Sequence, residues 1–512
     1  MVWKAENPQG NEQAKIRWEL VPYTRGRVLD LGCGPNKAFP HFIGVDNGHH
    51  ERFGYSIKPD LFLQSCEVLD LIASQSCDAV FSSHLLEHIE DTEKALREWW
   101  RVIKPGGHLC LYLPHKDFYP NRGVPGANPD HKHDFLPADI IEVMKKVSGW
   151  DLVQNQERNE GEEYSFFQVY KKTSGKGWFY SYRNPKPEKT AAVIRYGAFG
   201  DLMQASSVFA GLKKAGYHVT LYSSRPGCDV VTHDPNIDHL ILQDKDQVPN
   251  ANLGEFWAHE AKKYDKFVNL SESVEGTWLA MEGRTAATWT HKIRHRLMNE
   301  NYLAFQHELA DIPHQPAVRF YATLEEKEWA RKQKRGTFTV IWSLAGSAVH
   351  KTWPYLDHVL AKLMLEDPGI HVFLVGGPET QMLEAGWEHE PRIHKTCGKW
   401  GIRNTLAFLS QADLVIGPET GVLNAACMMD VPKVCFLSHS SQENLTRDWV
   451  NTTSLHTTDK GVDCYPCHRL HYNWSNCRED KETGTAMCQS TISAERVWAA
   501  IVPYVLGMAV AA

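Results

Sequence analysis

The amino-acid sequence predicts an α/β protein built from three units in which strands alternate with helices. The chain has 512 residues, which is enough for about three domains. Apolar, strand-like segments near residues 28, 190 and 338 each lead into a loop of small residues and then into a helical pattern. A strand, a glycine turn and a helix in this order open a doubly wound α/β unit.

The composition is that of an ordinary soluble globular protein, with 42% hydrophobic and 23% charged residues. A formal net charge of −7 gives no global attraction to nucleic acid or to an anionic membrane, although a local basic patch stays open. Residues 1–10 contain no apolar signal core, and no apolar run reaches the ~18 residues of a membrane span. We therefore expect a cytoplasmic protein. The C-terminal segment comes nearest to a membrane span, but it is short and contains Pro503, so we expect it to form a buried helix that closes the fold.

The first unit opens with a strand and a loop that contains Gly32 and Gly34. Glycine at such a turn lets the backbone approach a ligand closely. The next predicted strand ends in Asp46, where an acid can accept hydrogen bonds from both hydroxyls of a ribose. Two further strand and helix segments follow, one with the sequence LEHIED and one with the turn RVIKPGG.

The DLGCG loop, Asp46, LEHIED and RVIKPGG together resemble the class I S-adenosylmethionine-dependent methyltransferases over roughly residues 25–172. The resemblance implies a Rossmann-like methyltransferase domain at residues 1–172 that binds S-adenosylmethionine. The adenine is expected near residues 65–67, where Cys66 stands next to Glu67. The implied cofactor-binding residues are Asp30, Gly32 and Gly34 at the methionine end, Asp46 at the ribose, Glu67 near the adenine, and Ser82 and His84 beside the sulfonium.

A loop rich in Pro, Gly and His follows the fifth predicted strand, at residues 115–135. It lies over the expected substrate mouth, so Tyr119, His131 and His133 are candidates for acceptor contact or proton removal. Methyl transfer depends more on alignment of the reacting atoms than on a strong base. The alternative is that these histidines are surface residues or form a stray metal site.

Residues 173–188 have the composition of a linker, and a second α/β region follows from residue 189. Its first strand runs into a loop with Gly197 and Gly200, and Asp201 comes directly after the loop. An acid there lies at the carboxyl end of a strand, where open α/β sheets bind ligands. The alternative is that Asp201 only caps the helix that follows. The basic stretch at residues 291–302 either faces an anionic acceptor or is a solvated helix face.

Another strand and loop precede Lys351, and two later strands end in acidic segments at Glu379 and at Glu419–Thr420–Gly421. A helix begins directly after Thr420, and free N–H groups at a helix start suit a diphosphate. Lys351 would add a point charge. The alternative is three ordinary connections between strands and helices.

The GD of AFGDLMQASS, the HKTWP segment and PETGVLNAA followed by VPKVCFL resemble the GT-B glycosyltransferases, most of all glycosyltransferase family 9, the heptosyltransferase-like group. The resemblance covers roughly residues 190–500. It implies an acceptor lobe at 189–335, a nucleotide-sugar lobe at 336–512, a nucleoside-diphosphate sugar as donor, and inversion at the anomeric carbon. Glu419 and Asn424 stand where the family usually has Asp and His.

Carried over from that family, Asp201 is the general base that deprotonates the acceptor hydroxyl. Lys351 neutralises the leaving diphosphate, and Glu379 lies near the nucleoside. The other implied contacts to phosphate and sugar are Glu419, Thr420, Gly421 and Asn424.

Eight of the twelve cysteines are scattered through apolar segments and are expected to be small core residues. The other four, Cys464, Cys467, Cys477 and Cys488, lie close together within the segment 464–488. Their spacing suits a structural Cys₄ zinc site, and reduced structural thiols are the alternative. The CYPCH sequence also fits a c-type haem attachment pattern, but that attachment needs export.

The sequence therefore predicts a bifunctional transferase that glycosylates and methylates a shared glycan, of cell-surface or lipopolysaccharide type. Small-molecule donors are the expected partners, the acceptor is a glycan or lipid-linked glycan, and peripheral contact with the inner face of the membrane stays open. One alternative is modification of nucleic-acid bases, which the acidic balance disfavours. Another is a methyltransferase-like half that only binds.

Overall fold

The structure is a computed structural model, and it describes residues 11–48, 59–147, 149–173, 178–180, 189–225, 227–244, 247–272, 289–346, 351–470 and 477–507. These residues form two units. The first consists of Met1–Lys186 with Leu242–Lys263, and the second of Pro187–Ile241 with Tyr264–Ala512. Of the predicted linker at 173–188, residues 174–177 and 181–188 lie outside the described residues, whereas Trp178–Tyr180 form a strand of the first sheet. His350 of the HKTWP segment also lies outside the described residues.

The first unit is built on a sheet whose strand order is β3-β2-β1-β4-β5-β7-β6-β8. Strand β7 runs antiparallel to its neighbours β5 and β6, whereas the other pairs are parallel. Every residue of β1 is buried, as expected of a central strand covered on both faces. The strands are β1 (Val28–Leu31), β2 (Ile43–Asp46), β3 (Leu61–Phe62), β4 (Cys77–Ser83), β5 (Ile103–Pro114), β6 (Trp150–Arg158), β7 (Ser165–Lys172) and β8 (Trp178–Tyr180).

The α-helices that the structure describes in this unit are α1 (Gln13–Leu20), α2 (Thr92–Val102), α3 (Pro137–Met144) and α5 (Leu253–Ala261). Helix α2 begins where the Asp91 side chain accepts a hydrogen bond from the amide of Lys94, and it buries Trp99 in the core. Helix α5 packs on α1, with the rings of Trp18 and Phe256 5.8 Å apart. The sequence placed residues 242–263 in the acceptor lobe, whereas this segment groups with the first unit.

The second unit contains two sheets, of which the first has the order β11-β10-β9-β12. Strands β10 and β12 both run parallel to β9. The basic stretch predicted at 291–302 is divided, because its helix ends at Met298 and Asn301 caps the next one. The elements are β9 (Thr190–Ile194), β10 (His218–Ser224), β11 (His239–Gln243), β12 (Lys266–Asn269), α4 (Phe199–Lys214), α6 (His291–Met298), α7 (Tyr302–Leu309) and α8 (Leu324–Gln333).

The other sheet is fully parallel and has the order β15-β14-β13-β16-β17-β18. Its strands are β13 (Phe338–Ser343), β14 (Ile370–Val375), β15 (Ile393–Lys395), β16 (Leu414–Pro418), β17 (Lys433–Phe436) and β18 (Thr452–Leu455). Its helices are α9 (Leu356–Glu366), α10 (Ile402–Phe408), α11 (Gly421–Ala426), α12 (Met487–Ser490) and α13 (Ala494–Val505). Arg403 of α10 forms a two-point ion pair with Glu326 of α8.

The α/β fold class predicted from the sequence is confirmed, with three sheets dominated by parallel strands. Helix α13 contains Pro503 and buries Val497 and Ile501 against the last sheet. None of the described helices combines the length and the apolar character needed to cross a bilayer. The cysteines predicted to lie in the core are buried: Cys33, Cys66, Cys77, Cys110, Cys228, Cys397, Cys427 and Cys435.

Candidate active sites

The loop after β1 has the backbone geometry that the sequence predicted. Gly32 has φ +68°, and a Cβ atom there would lie 2.9 Å from the Leu85 side chain. Gly34 has φ +56° and open space on its Cβ side. Both conformations strongly favour glycine. Asp46 holds the loop, since its carboxylate accepts hydrogen bonds from the amides of Gly34 at 3.0 Å and Gly48 at 2.8 Å.

Asp30 is buried beside this loop, and its carboxylate accepts a hydrogen bond from the Ala38 amide at 2.8 Å. Burial raises the pKa of Asp30 to about 7. The Glu67 side chain packs beside the residue that precedes α2, and its carboxylate accepts a hydrogen bond from the Asp91 amide at 3.3 Å. At the end of β4, the buried Ser82 hydroxyl has no hydrogen-bond partner among the residues that the structure describes. A buried hydroxyl without a partner at this edge of the sheet is typical of a side chain that hydrogen-bonds a ligand.

His84 follows β4 in a left-handed conformation, with φ +49°. Its Nε2 atom lies 2.9 Å from the Ser165 hydroxyl, and its Nδ1 atom lies 3.8 Å from Glu87 Oε1. Burial lowers the pKa of His84 well below its usual range. Strained backbone of this kind is concentrated at functional sites.

The loop after β5 brings two of its three predicted acceptor residues together. Tyr119 stacks on His131 with ring centroids 5.4 Å apart, and His131 is buried. The third residue, His133, contacts other groups: its Nε2 atom lies 3.2 Å from the Glu90 carbonyl oxygen, and its ring stacks on Phe135.

Sequence reasoning used Glu87 and His88 only as part of a motif, yet their side chains meet His131 in space. The ligand atoms of Glu87, His88 and His131 all lie within 4.8 Å of one another. Glu12 was missed altogether; its carboxylate accepts a hydrogen bond from the Tyr164 hydroxyl and lies 3.8 Å from His84 Nε2. No local pattern marks Glu12, because its partners are far away along the chain.

The second unit contains a cleft that is open to solvent. Its lining residues come from helices and loops that adjoin both sheets of this unit. Four predicted residues are among them, namely Asp201, Lys351, Glu419 and Asn424. Residues that the sequence reasoning did not select also line it, among them Gln204, Tyr302, His439, Ser440, Asn444 and His468.

Asp201 both caps α4 and faces the cleft, so the two readings of the sequence are compatible. One carboxylate oxygen accepts a hydrogen bond from the Ala198 amide at 3.0 Å. The other lies 2.9 Å from an Arg195 guanidinium nitrogen. Arg195 is buried and donates to the Leu270 carbonyl oxygen and to the Tyr302 hydroxyl. This network fixes the orientation of the Asp201 carboxylate.

Glu419 is buried at the end of β16 and organises the segment after β17. Its Oε1 atom accepts hydrogen bonds from the backbone amides of Ser438 and His439, both at 2.8 Å, and from the Ser438 hydroxyl. His439 Nδ1 lies 2.8 Å from the same oxygen. Burial alone would raise the pKa of Glu419, but His439, together with Lys351 and the Ser438 hydroxyl, holds it well below its usual range.

The first turns of α4 and α11 are in close contact at Gly200 and Gly421. A Cβ atom at Gly200 would lie 3.0 Å from the Gly421 Cα, and one at Gly421 would lie 2.0 Å from the Phe199 ring. Thr420 precedes α11 and its hydroxyl lies 3.0 Å from that of Ser343. The buried Oδ1 atom of Asn424 has no hydrogen-bond partner within the described part of the chain.

The remaining predicted residues lie apart from these groups. Glu379 is exposed in the turn after β14 and does not line the cleft. Cys464 is exposed, and the other three cysteines of its segment are partly buried. Within the described ranges, three or more metal-ligand atoms come together at Glu87, His88 and His131, and not at these cysteines.

Comparison with known families assigns two transferase domains to this chain. Residues 29–111 match the family model of the methyltransferase domain, and residues 261–469 match that of glycosyltransferase family 9 (heptosyltransferase). The chain thus carries both a methyltransferase domain and a glycosyltransferase family 9 domain, as the sequence motifs predicted.

Two curated relatives illustrate the first match. A probable S-adenosylmethionine-dependent methyltransferase of Mycolicibacterium smegmatis is 26% identical over 138 residues, which cover 24% of this chain and 52% of the relative. The ubiquinone biosynthesis O-methyltransferase of Xanthomonas oryzae pv. oryzae is 30% identical over 131 residues, covering 21% and 54%. The chain therefore spans about half the length of these curated relatives.

Among solved structures, the glycosyl transferase family 9 protein of Veillonella parvula superimposes with a TM-score of 0.46 and 16% identity. The superposition covers 63% of this chain and 98% of that protein.

Proposed function

We propose that this protein is a bifunctional transferase that moves a sugar from a nucleoside diphosphate and a methyl group from S-adenosylmethionine. The observation that carries the proposal is the cleft of the second unit, where Asp201 and Lys351 line one cavity. A carboxylate that can take a proton and a cation that can neutralise a diphosphate are the two groups that inverting sugar transfer needs.

In the sugar-transfer site, Asp201 takes the proton of the acceptor hydroxyl as that oxygen forms its bond to the anomeric carbon. The bond from that carbon to the diphosphate breaks, and negative charge collects on the phosphate oxygens. Lys351 stabilises this charge, and His439, held by Glu419, lines the same cleft. Thr420, Gly421 and Asn424 then hold phosphate and sugar. Glu379, which is exposed outside the cleft, would be reached only by a nucleoside that extends beyond it.

In the methyltransferase domain, the glycine loop and the orphaned Ser82 hydroxyl fit a bound S-adenosylmethionine. When bound, this cofactor supplies an electrophilic methyl group. Asp30 and Gly32 would hold its methionine end, Asp46 its ribose, and Glu67 would lie near the adenine. Tyr119 and His131 orient the acceptor, which loses a proton as it gains the methyl group.

We further propose that both reactions act on one glycan or lipid-linked glycan in the cytoplasm, with the protein in peripheral contact with the inner face of the membrane. Fusion of the two domains in one chain supports a shared acceptor. Modification of nucleic-acid bases is the competing proposal. A salt-sensitive shift of duplex DNA by the pure protein would favour it.

Replacing Asp201 tests the sugar-transfer site. Asp201→Asn keeps the size of the side chain but removes the base, so we expect sugar transfer to fall by about 100-fold or more while methyl transfer persists. Asp311→Asn is a matched control, because Asp311 is 96% exposed. Unchanged sugar transfer in the Asp201 variant would remove this residue from the proposed role.

Ligand-induced stabilisation tests both sites without knowledge of the acceptor. Ligands that bind the native state raise the melting temperature. We expect S-adenosylhomocysteine and one nucleoside diphosphate to stabilise the protein independently of each other. Stabilisation by S-adenosylhomocysteine without methyl transfer to any glycan would instead indicate that the first domain is a binding module.

The sulfur atoms of Cys464, Cys467, Cys477 and Cys488 are not gathered into a ligand set in the described part of the chain, and we propose that they close around a structural metal ion when it binds. Four thiolates suit tetrahedral zinc. Metal analysis of the purified protein and of a Cys464→Ser, Cys467→Ser variant tests this: one bound zinc should be lost in the variant. Equal zinc content in both proteins would leave the four residues as reduced thiols.

A further inference from the structure

The methyltransferase domain contains a cluster of one carboxylate and three imidazoles, in which Glu87 and His88 have no role in the proposed methyl transfer. His88 Nε2 and His131 Nε2 each lie 3.9 Å from Glu87 Oε1, and His84 Nδ1 lies 3.8 Å from the same oxygen. The rings of His88 and His131 meet edge to face, with centroids 4.8 Å apart. Three elements of the fold contribute: the end of β4, the turn that follows it, and the loop after β5.

Glu87 is the unusual member of this cluster. Its side chain is completely buried, and neither carboxylate oxygen has a hydrogen-bond partner among the residues that the structure describes. A buried carboxylate without partners is costly, and native proteins keep one mainly where something else satisfies it. With histidine nitrogens on three sides, the group that best satisfies this carboxylate is a cation.

His88 and the loop that carries His131 are held in place by their surroundings. His88 Nδ1 lies 3.2 Å from the Asp130 carbonyl oxygen, a contact that orients the ring with Nε2 towards Glu87. Metal-binding histidines commonly use their second ring nitrogen in this way. The amides of Lys132 and His133 donate to the Glu87 carbonyl oxygen at 2.6 Å and 3.1 Å, which fixes the loop beside His131.

We propose that Glu87, His88 and His131 bind a divalent transition-metal ion. Ligand atoms about 2.0–2.2 Å from such an ion lie roughly 3–3.5 Å apart, so inward shifts of less than about 1 Å complete the site. Two imidazoles and one carboxylate leave coordination positions open, as catalytic rather than structural metal sites do. His84 lies close enough to orient a water or an acceptor oxygen at one of these positions.

The role of the ion rests on the proposed methyl transfer, whereas its binding does not. Tyr119 stacks on His131, so an acceptor oriented by Tyr119 would lie next to one of the metal ligands. An acceptor hydroxyl bound to the ion would give its proton to solvent water more readily. The oxygen then forms its bond to the methyl carbon as the bond from carbon to sulfur breaks. The site therefore favours acceptors that are methylated on an oxygen atom.

Titration of the full-length chain with Mn²⁺, after treatment with a chelator, tests the site directly. Mn²⁺ suits oxygen and nitrogen ligands and not thiolates, so the cysteine segment does not interfere. We expect one bound Mn²⁺ by electron paramagnetic resonance, with affinity lowered at least about 10-fold in both Glu87→Gln and His131→Gln. Glu90→Gln is the matched control, because its carboxylate is 81% exposed three residues further along.

Mn²⁺ affinity that is unchanged in both variants, or absent from the wild type, would overturn the proposal. Circular dichroism establishes whether each variant is folded. Because the two substitutions lie on different segments, one folded variant is enough to test the metal site. Mn²⁺ binding without any methyl transfer would leave the metal site intact and count against the proposed function alone.

Discussion

At the scale of single residues, Glu419 illustrates how a predicted ligand contact turns out to have an additional role. Its Oε1 atom already accepts hydrogen bonds from two backbone amides and lies 2.8 Å from His439 Nδ1. Glu419 therefore positions His439 at the cleft. The sequence marked Glu419 because it ends a strand, but it gave no sign of His439, which follows a different strand.

Replacing Glu419 by Gln should lower both stability and sugar transfer. The amide cannot accept all of these hydrogen bonds, and loss of a charge-assisted set in a buried site costs about 1.5–3 kcal/mol. We expect a lower melting temperature and a weaker response to the stabilising nucleoside diphosphate. Glu443→Gln, at a position 51% exposed, is the control. A variant that melts like the wild type would show that the carboxylate does not organise this segment.

At the scale of elements, the contact between α4 and α11 joins the two sheets of the second unit next to the cleft. Gly200 and Gly421 permit this approach, since a side chain on either would meet the other helix or the Phe199 ring. The sequence predicted that a helix begins at each of these two glycine turns, because strand ends and glycine turns are local patterns. It did not predict that the two helix starts touch, which depends on packing between segments more than 200 residues apart.

Gly421→Ala should destabilise this contact. A Cβ atom 2.0 Å from the Phe199 ring forces the ring or the helix to move, and overpacking of this kind costs about 1–3 kcal/mol. Urea unfolding followed by tryptophan fluorescence measures the change. Gly401→Ala is the matched control, because a Cβ atom there meets nothing within 4 Å. Equal loss of stability in the two variants would mean that the close approach is not what Gly421 provides.

At the scale of the whole molecule, the first unit is assembled from segments that are far apart in the sequence. The glycine loops, Asp46 and the alternation of strands with helices could be predicted, because each follows from local periodicity and turn chemistry. The grouping of residues 242–263 with this unit could not, since it depends on Glu19 meeting His259 and Lys263 about 240 residues later. Likewise, Glu12 joins the histidine cluster only through tertiary packing.

The Glu19 contact makes a prediction about pH. Burial alone would raise the pKa of Glu19, but hydrogen bonds and charge from His259 and Lys263 lower it from 4.5 to about 2. A depressed carboxyl pKa contributes stability above the unfolded value of 4.5, which is lost as the pH falls towards 2. The contribution is at most about 3 kcal/mol.

Glu19→Gln should therefore melt at a lower temperature than the wild type at neutral pH, and the difference should shrink as the pH falls from about 5 to about 3. Hydrogen exchange in peptides from α1 and α5 localises the effect to this contact. Glu160→Gln, at an exposed position of the same unit, should show no such convergence. A difference between wild type and Glu19→Gln that stays constant with pH would mean that this carboxylate does not hold α5 to α1 through its charge.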